Sequence, residues 1–330
     1  MNILLTGATG FLGRPLARRL TAEGHKLRIL TRNPKTSLSV APPGVLVVPW
    51  LEGGLIPDAA LEGVDAVIHL AGENIGAWPW TSNRKRRIRD SRVLGTRALV
   101  DAMRRQIRRP GIFLSASAIG YYGDTGSKKI CEEDPPGRGY LAEVVQAWEA
   151  EIFKAEAMGI RTVAIRNGLI LGRGSKRAEH QGTKPSGALG KMLPTFKLGL
   201  GAVMGTGRQY WSWIHLEDSV GIFMHAFSNP EMRGAVNGCA PEPVTQAEFS
   251  RSLAKALGRP LLFRAPAFLL RLVLGDMADT LLQGQRVNTE KIMAWGYCFH
   301  YPSLLPALED ILADEAKERA GRRNSARLRQ

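Results

Sequence analysis

The stretch LLTGATGFLGRPLA, residues 4–17, limits the possible fold more than any other part of the chain. An apolar run, NILLTG, stops at a cluster of glycines, and the helical pattern FLGRPLARRLTAEG follows, closed by Gly24. Gly7 permits a tight turn, Gly10 lets the backbone come close to a ligand, and Gly13 lets the helix pack tightly on the strand. The helix start then presents free N–H groups and a positive dipole end, which suit phosphate oxygens. This spacing predicts a strand–turn–helix unit with a pyrophosphate at the turn. Gly7, Thr9, Gly10, Phe11, Leu12, Gly13 and Arg14 are the residues placed around it.

Short apolar runs and amphipathic helical stretches continue to alternate through the first half. KLRILTR, VLVVPW, VDAVIHLAG, GIFLSASA and IRTVAIRNGLILG read as strands; IRDSRVLGTRALVDAMRRQ and LAEVVQAWEAEIFKAEAMG read as helices. Such alternation predicts an α/β fold, a doubly wound parallel Rossmann sheet covered by helices on both faces. From Gly172 the rhythm breaks into GRGSKRAEHQGTKPSGALG, a mobile surface loop by its composition, and GAVNGCAP later returns one strand to the sheet. The expected organisation is a dinucleotide-binding domain over 1–171 with a return strand near 234–240. A smaller interleaved C-terminal substrate lobe follows over 172–233 and 241–312, then a basic, disordered tail over 313–330. Asp218 is expected to cap one helix, and Thr245 with Glu248 forms a capping-box pattern at another.

At 330 residues the chain can bury roughly 75% of its unfolded surface. Its best candidate for a membrane span, AFLLRLVLG, is short and broken by Arg271, and because the sequence opens on the strand pattern MNILLTG no leader is expected. Cys131, Cys239 and Cys298 have no metal-binding spacing and are odd in number, so neither a metal site nor a disulfide framework is expected. A cytoplasmic protein without membrane association is the expectation. The formal net charge of +15 is concentrated in RKRRIRDSR, RRQIRR and KERAGRRNSARLR. With no aromatic interleaving, these runs read as solvated helix faces and a tail, not as a specific nucleic-acid site. A small-molecule substrate is expected as partner; the oligomeric state stays open, a homodimer included.

The end of the second strand decides between dinucleotides. A free ribose hydroxyl calls for Asp or Glu there, but the residues are Thr31, Arg32 and Asn33, with Arg14 also near the turn. Guanidinium groups without a carboxylate favour a 2′-phosphate, hence NADP(H) over NAD(H).

The glycine spacing, HLAG (69–72) and the SRVLGTRALVDA helix (91–102) resemble the extended short-chain dehydrogenase/reductase superfamily. HLAGENI (69–75), SASAIGYYG (115–123), WEAE (148–151), GALGKMLPTFKLGLG (187–201), GTGRQYWSWIH (205–215) and RPLLFRAPAFLLRLVLGDMADTLLQGQRV (259–287) narrow the resemblance to its atypical epimerase-family branch, over about residues 1–312. The resemblance implies a nicotinamide cofactor, with Leu70, Ala71 and Gly72 against it, and oxidoreductase or epimerase chemistry on a small molecule.

In that superfamily a serine and a tyrosine act with a lysine four residues after the tyrosine. Ser117 and Tyr140 match the first two, but Val144 stands at the lysine position and supplies no charge to lower the phenol's pKa. Other groups must carry any proton chemistry. Glu73 is a candidate acid or base, or a structural partner of Arg92. Tyr121 or Tyr122 is a candidate proton donor. Arg92 and Arg166 are candidate cofactor- or ligand-binding cations, each with pairing to a nearby acid as the alternative. His215 is placed either to titrate at the substrate or to hydrogen-bond within the fold; His69 and Trp213 read as core. The missing lysine also admits a second function, a catalytically silent NADP(H) sensor.

Overall fold

The computed structural model describes residues 1–51, 54–174 and 184–313. The middle of the expected mobile loop, 175–183, and the expected tail, 314–330, lie outside the described residues; the described ends of that loop are not irregular, since Arg173–Gly174 pair with Lys184–Pro185 and a helix runs over Gly187–Lys197. Seven strands form one parallel sheet: β1 (Asn2–Thr6), β2 (Lys26–Thr31), β3 (Leu46–Pro49), β4 (Ala66–His69), β5 (Ile112–Ala118), β6 (Arg161–Asn167) and β7 (Gly234–Gly238). Their spatial order is β3-β2-β1-β4-β5-β6-β7, every neighbouring pair parallel. The order reverses between β1 and β4, which opens a crevice at the carboxyl ends of those two strands.

Side-chain alternation along each strand feeds two separate cores. On one face Ile3 and Leu5 of β1 pack with Leu16 and Leu20 of α1 (Gly13–Ala22), and with Ile222 and Phe223 of α4 (Leu216–Ser228). On the other, Leu4, Val67 and Phe113 pack with Leu99 and Met103 of α2 (Ser82–Arg105) and Trp148 of α3 (Tyr140–Ile152). A third apolar cluster joins Trp211, Trp213, Phe249 and Leu253 to Leu189, Leu193 and Leu308.

Two local expectations are corrected. Helix α2 begins six residues before Ile88, where the sequence pattern placed its start: Thr81 Oγ1 accepts from the Arg84 N–H at 3.2 Å, so the charged run RKRR forms the first turns of the helix. The N-cap of α4 is His215, whose Nδ1 accepts from the Glu217 N–H at 3.2 Å, and not Asp218. Asp218 lies fully buried and accepts from the Tyr297 hydroxyl at 3.0 Å and the His300 and Tyr301 N–H groups at 2.8 and 2.9 Å. The Thr245–Glu248 capping box forms as expected.

Candidate functional site

The glycine turn is closed against its neighbours. A Cβ on Gly7, where φ is +71°, would meet the Leu70 carbonyl carbon at 2.6 Å, and one on Gly13 would meet the Gly7 oxygen at 2.1 Å. Any side chain at either position displaces backbone. Thr6 fixes the crossing strand end: its hydroxyl oxygen accepts from the Leu70 and Ala71 N–H groups at 3.2 Å each and lies 2.6 Å from His69 Nδ1. With two bonds accepted, the hydroxyl donates to Nδ1, which places the ring proton on Nε2; that atom is buried without a partner among the described residues. Burial, aided by the nearby Arg92 charge, pushes the His69 pKa down to about 4, so the ring is neutral at pH 7.

Thr9, Gly10, Phe11 and Arg14 border a cavity of about 330 Å³ that Arg173, Ser186 and Leu216 also line. Arg14 is fixed by its Nε–H donating to the Thr9 carbonyl at 2.9 Å. Leu12 lies at the start of α1, buried, as a packing residue of the turn. A second cavity, about 380 Å³, lies between the end of β2 and the outer face of α2, with Arg32 and Glu73 in its wall.

At the carboxyl end of β5 the structure builds a network around Glu149. Ser117 donates to Glu149 Oε1 at 2.6 Å, and Arg166 reaches the same carboxylate through Nε at 2.8 Å and Nη2 at 2.7 Å. Burial opposes the charge of Arg166, but the Glu149 carboxylate outweighs it and holds the guanidinium's pKa above its ordinary value. Arg166 is therefore paired within the fold, the alternative named for it. Its Nη1 also donates to the Tyr122 hydroxyl at 2.9 Å, and that hydroxyl donates to Asn237 Oδ1 at 2.8 Å. The guanidinium carbon lies 3.5 Å from the centre of the Tyr121 ring, a cation–π contact.

Tyr140 stands apart from this network. Its hydroxyl donates to the Lys85 carbonyl on α2 at 2.6 Å, Trp80 packs edge-on against its ring, and the Lys85 ammonium lies 5.2 Å from the ring centre. Burial raises the phenol's pKa even though Arg92 acts against it, the opposite of what a tyrosine base requires. Val144, one turn along α3, is buried.

Glu73 pairs with Arg84, at 3.5 Å, and not with Arg92. Arg92 instead donates to the Glu73 and Ile88 carbonyls at 3.1 Å each, sits 5.3 Å from the Trp148 ring and packs against Gly72. His215 is a buried helix cap facing Asp310 at 3.5 Å, and burial lowers its pKa. Trp213 is core, its indole N–H donating to the Glu242 carbonyl at 3.0 Å. Glu149 is the residue that sequence reasoning passed over; WEAE marked a resemblance, but nothing local showed that its second residue meets Ser117 and Arg166 from two other elements.

The doubly wound sheet and its glycine turn define a dinucleotide-type fold, and residues 3–237 match the model of the NAD dependent epimerase/dehydratase family. The chain belongs to that family. Residues 265–311 match a second model, a domain of unknown function, DUF1731. The chain is 36% identical to the epimerase family protein YfhF of Bacillus subtilis, over 95% of this chain and 99% of that one. It is 35% identical to the chloroplastic epimerase family protein SDR39U1 homolog of Arabidopsis thaliana, over 94% of this chain and 87% of that one. The crystal structure of the human epimerase family protein SDR39U1 (isoform 2) with NADPH matches with a TM-score of 0.81 at 32% identity, covering 94% of this chain and 99% of that one. No helix among the described residues is long and apolar enough to cross a membrane.

Proposed function

We propose that the protein binds NADP(H) and acts as an oxidoreductase or epimerase on a small molecule, with Tyr121 in place of Tyr140 as the proton donor. The cofactor half rests on the fit of these residues to the group: a turn with no room for a Cβ at Gly7 or Gly13, N–H groups at the start of α1, and Arg32 where a ribose-binding carboxylate is absent. The NADPH in the structure of the human relative supports the same choice. Leu70, Ala71 and Gly72 cross the turn and would flank the cofactor. When bound, it supplies or accepts a hydride.

The observation that carries the catalytic half is the distribution of hydroxyl partners. Tyr140 is committed to the Lys85 carbonyl and Tyr122 to Asn237, whereas the Tyr121 hydroxyl has no hydrogen bond among the described residues and its ring lies over the Arg166 cation. Ser117, its own proton directed to Glu149, can accept from a substrate hydroxyl. Glu73 is read as structural because of its Arg84 partner. Residues 172–233 and 241–312 are read as the lobe that covers the substrate. The test is oxidation of NADPH across a panel of small carbonyl compounds. Tyr121→Phe should lower turnover by about 100-fold, and Tyr140→Phe by less than about fivefold. The reverse ranking overturns the assignment.

A second reading, a sensor of the NADPH/NADP⁺ ratio without turnover, is favoured by one observation: the Tyr140 hydroxyl faces a carbonyl and the position of its usual lysine is a buried valine. NADPH binding with no oxidation by any carbonyl, together with a partner bound only in one cofactor state, would establish it.

A further inference from the structure

Helix α2 carries eight arginines, and six of them have a partner. Arg84 reaches Glu73 and the Asn74 carbonyl, Arg89 reaches Asp90, and Arg92 holds the Glu73 and Ile88 carbonyls. Arg97, Arg104 and Arg105 pair with Glu151, Asp101 and Asp58. Arg86 and Arg87 make no ion pair or hydrogen bond among the described residues. They are also the two that line the cavity of about 380 Å³ together with Arg32, which likewise has none. Asn83, Arg86, Arg87 and Asp90 share one face by their three- and four-residue spacing. The two carboxylates in the cavity wall do not neutralise this group: Asp90 is engaged by Arg89 at 3.3 Å and Glu73 by Arg84 at 3.5 Å.

Three guanidinium groups without partners, converging from two elements on one cavity, form a receptor for a compact dianion. We propose that Arg86 and Arg87 of α2 join Arg32 of β2 in a three-arginine socket for the 2′-phosphate of NADP(H), so that cofactor choice depends on the helix as much as on the strand. This rests on the cofactor reading above. It gives a role to a charge run that composition alone assigns to solvent.

The test measures dissociation constants of NADP⁺, NAD⁺, 2′-AMP and 5′-AMP for the full chain by calorimetry. Arg86→Ala and Arg87→Ala replace exposed helical residues with the strongest helix former, and thermal melts check that each variant is folded. Each should weaken NADP⁺ and 2′-AMP by about tenfold or more while NAD⁺ and 5′-AMP change by less than about twofold, as expected for charge-assisted hydrogen bonds. Arg87→Lys should recover part of the loss, because it keeps the charge and loses the planar fork. NADP⁺ affinity unchanged in both alanine variants but lost in Arg32→Ala overturns the socket and leaves the cofactor reading intact. Equal weakening of NADP⁺ and NAD⁺ also overturns it. Wild-type protein that binds NADP⁺ no better than NAD⁺ overturns the cofactor reading itself.

Discussion

Glu149 grips Arg166 through both carboxylate oxygens, at 2.8 and 2.7 Å, with about 5% of either side chain open to solvent. Removing one member of such a buried pair leaves the other charged and uncompensated. Glu149→Gln is therefore expected to destabilise the fold by about 3–5 kcal/mol, read from urea denaturation midpoints. Replacing both residues, as in Glu149→Leu with Arg166→Met, should recover much of that loss. A Glu149→Gln cost below about 1 kcal/mol would mean that the pair does not hold the network together.

Val144 is 2% exposed. Supplying the missing lysine by Val144→Lys puts an ammonium at a buried position, so the expected outcome is a loss of roughly 3 kcal/mol or more and no new dehydrogenase activity. A stable, more active variant would show that Tyr140 lacks only its cation.

Stability should fall on mild acidification. His69 has its pKa lowered to about 4, so between about 6.5 and 4 the unfolded chain binds a proton that the folded chain does not. The stabilising contribution is complete above pH 6.5 and declines by about 3 kcal/mol as the pH drops to 4. Burial shifts His215 in the same direction, so it adds to the slope. His69→Gln should flatten this decline without abolishing it, as measured by urea midpoints between pH 7.5 and 4. A slope identical to the wild type would remove His69 from the account.

Gly13→Ala should be among the most disruptive small substitutions in the chain. Its methyl group would sit 2.1 Å from the Gly7 oxygen, and relief requires α1 to move away from the turn. The expected result is a cost of at least about 2 kcal/mol in thermal or urea unfolding and loss of nucleotide binding. Gly24→Ala is the control. Its Cβ meets nothing within 4 Å, so only the strain of φ +81° is at work there, and nucleotide binding should persist.

The sheet was legible because each strand carries its own signal: a short apolar run, several of them ended by Gly, with amphipathic helices between most of them. The turn was legible for the same reason, being local. What was hidden is what distant segments do to one another. Nothing in the sequence around Tyr140 reveals that its hydroxyl meets the Lys85 carbonyl, 55 residues earlier. Ser117, Glu149 and Arg166 come from β5, α3 and β6, so their convergence exists only once those elements are packed. The start of α2 was missed because six charged residues within 84–90 mask the helical period, whereas Thr81 supplies the cap. The same charge density concealed which of its arginines have partners.

Strand β7 pairs with β6 at a register that joins Gly234 to Val163, seventy-one residues apart in the chain. During synthesis the β6 flank of the sheet therefore emerges as an unprotected edge and stays so until residue 238 has left the ribosome. A chain cut short of that point presents the row of unsatisfied amides and carbonyls that recruits strands from other molecules. Completion moves that edge outward to β7, where side chains occupy backbone groups: the Asn237 N–H donates to Glu132 at 2.7 Å and the Ala235 carbonyl accepts from Lys291 at 3.0 Å.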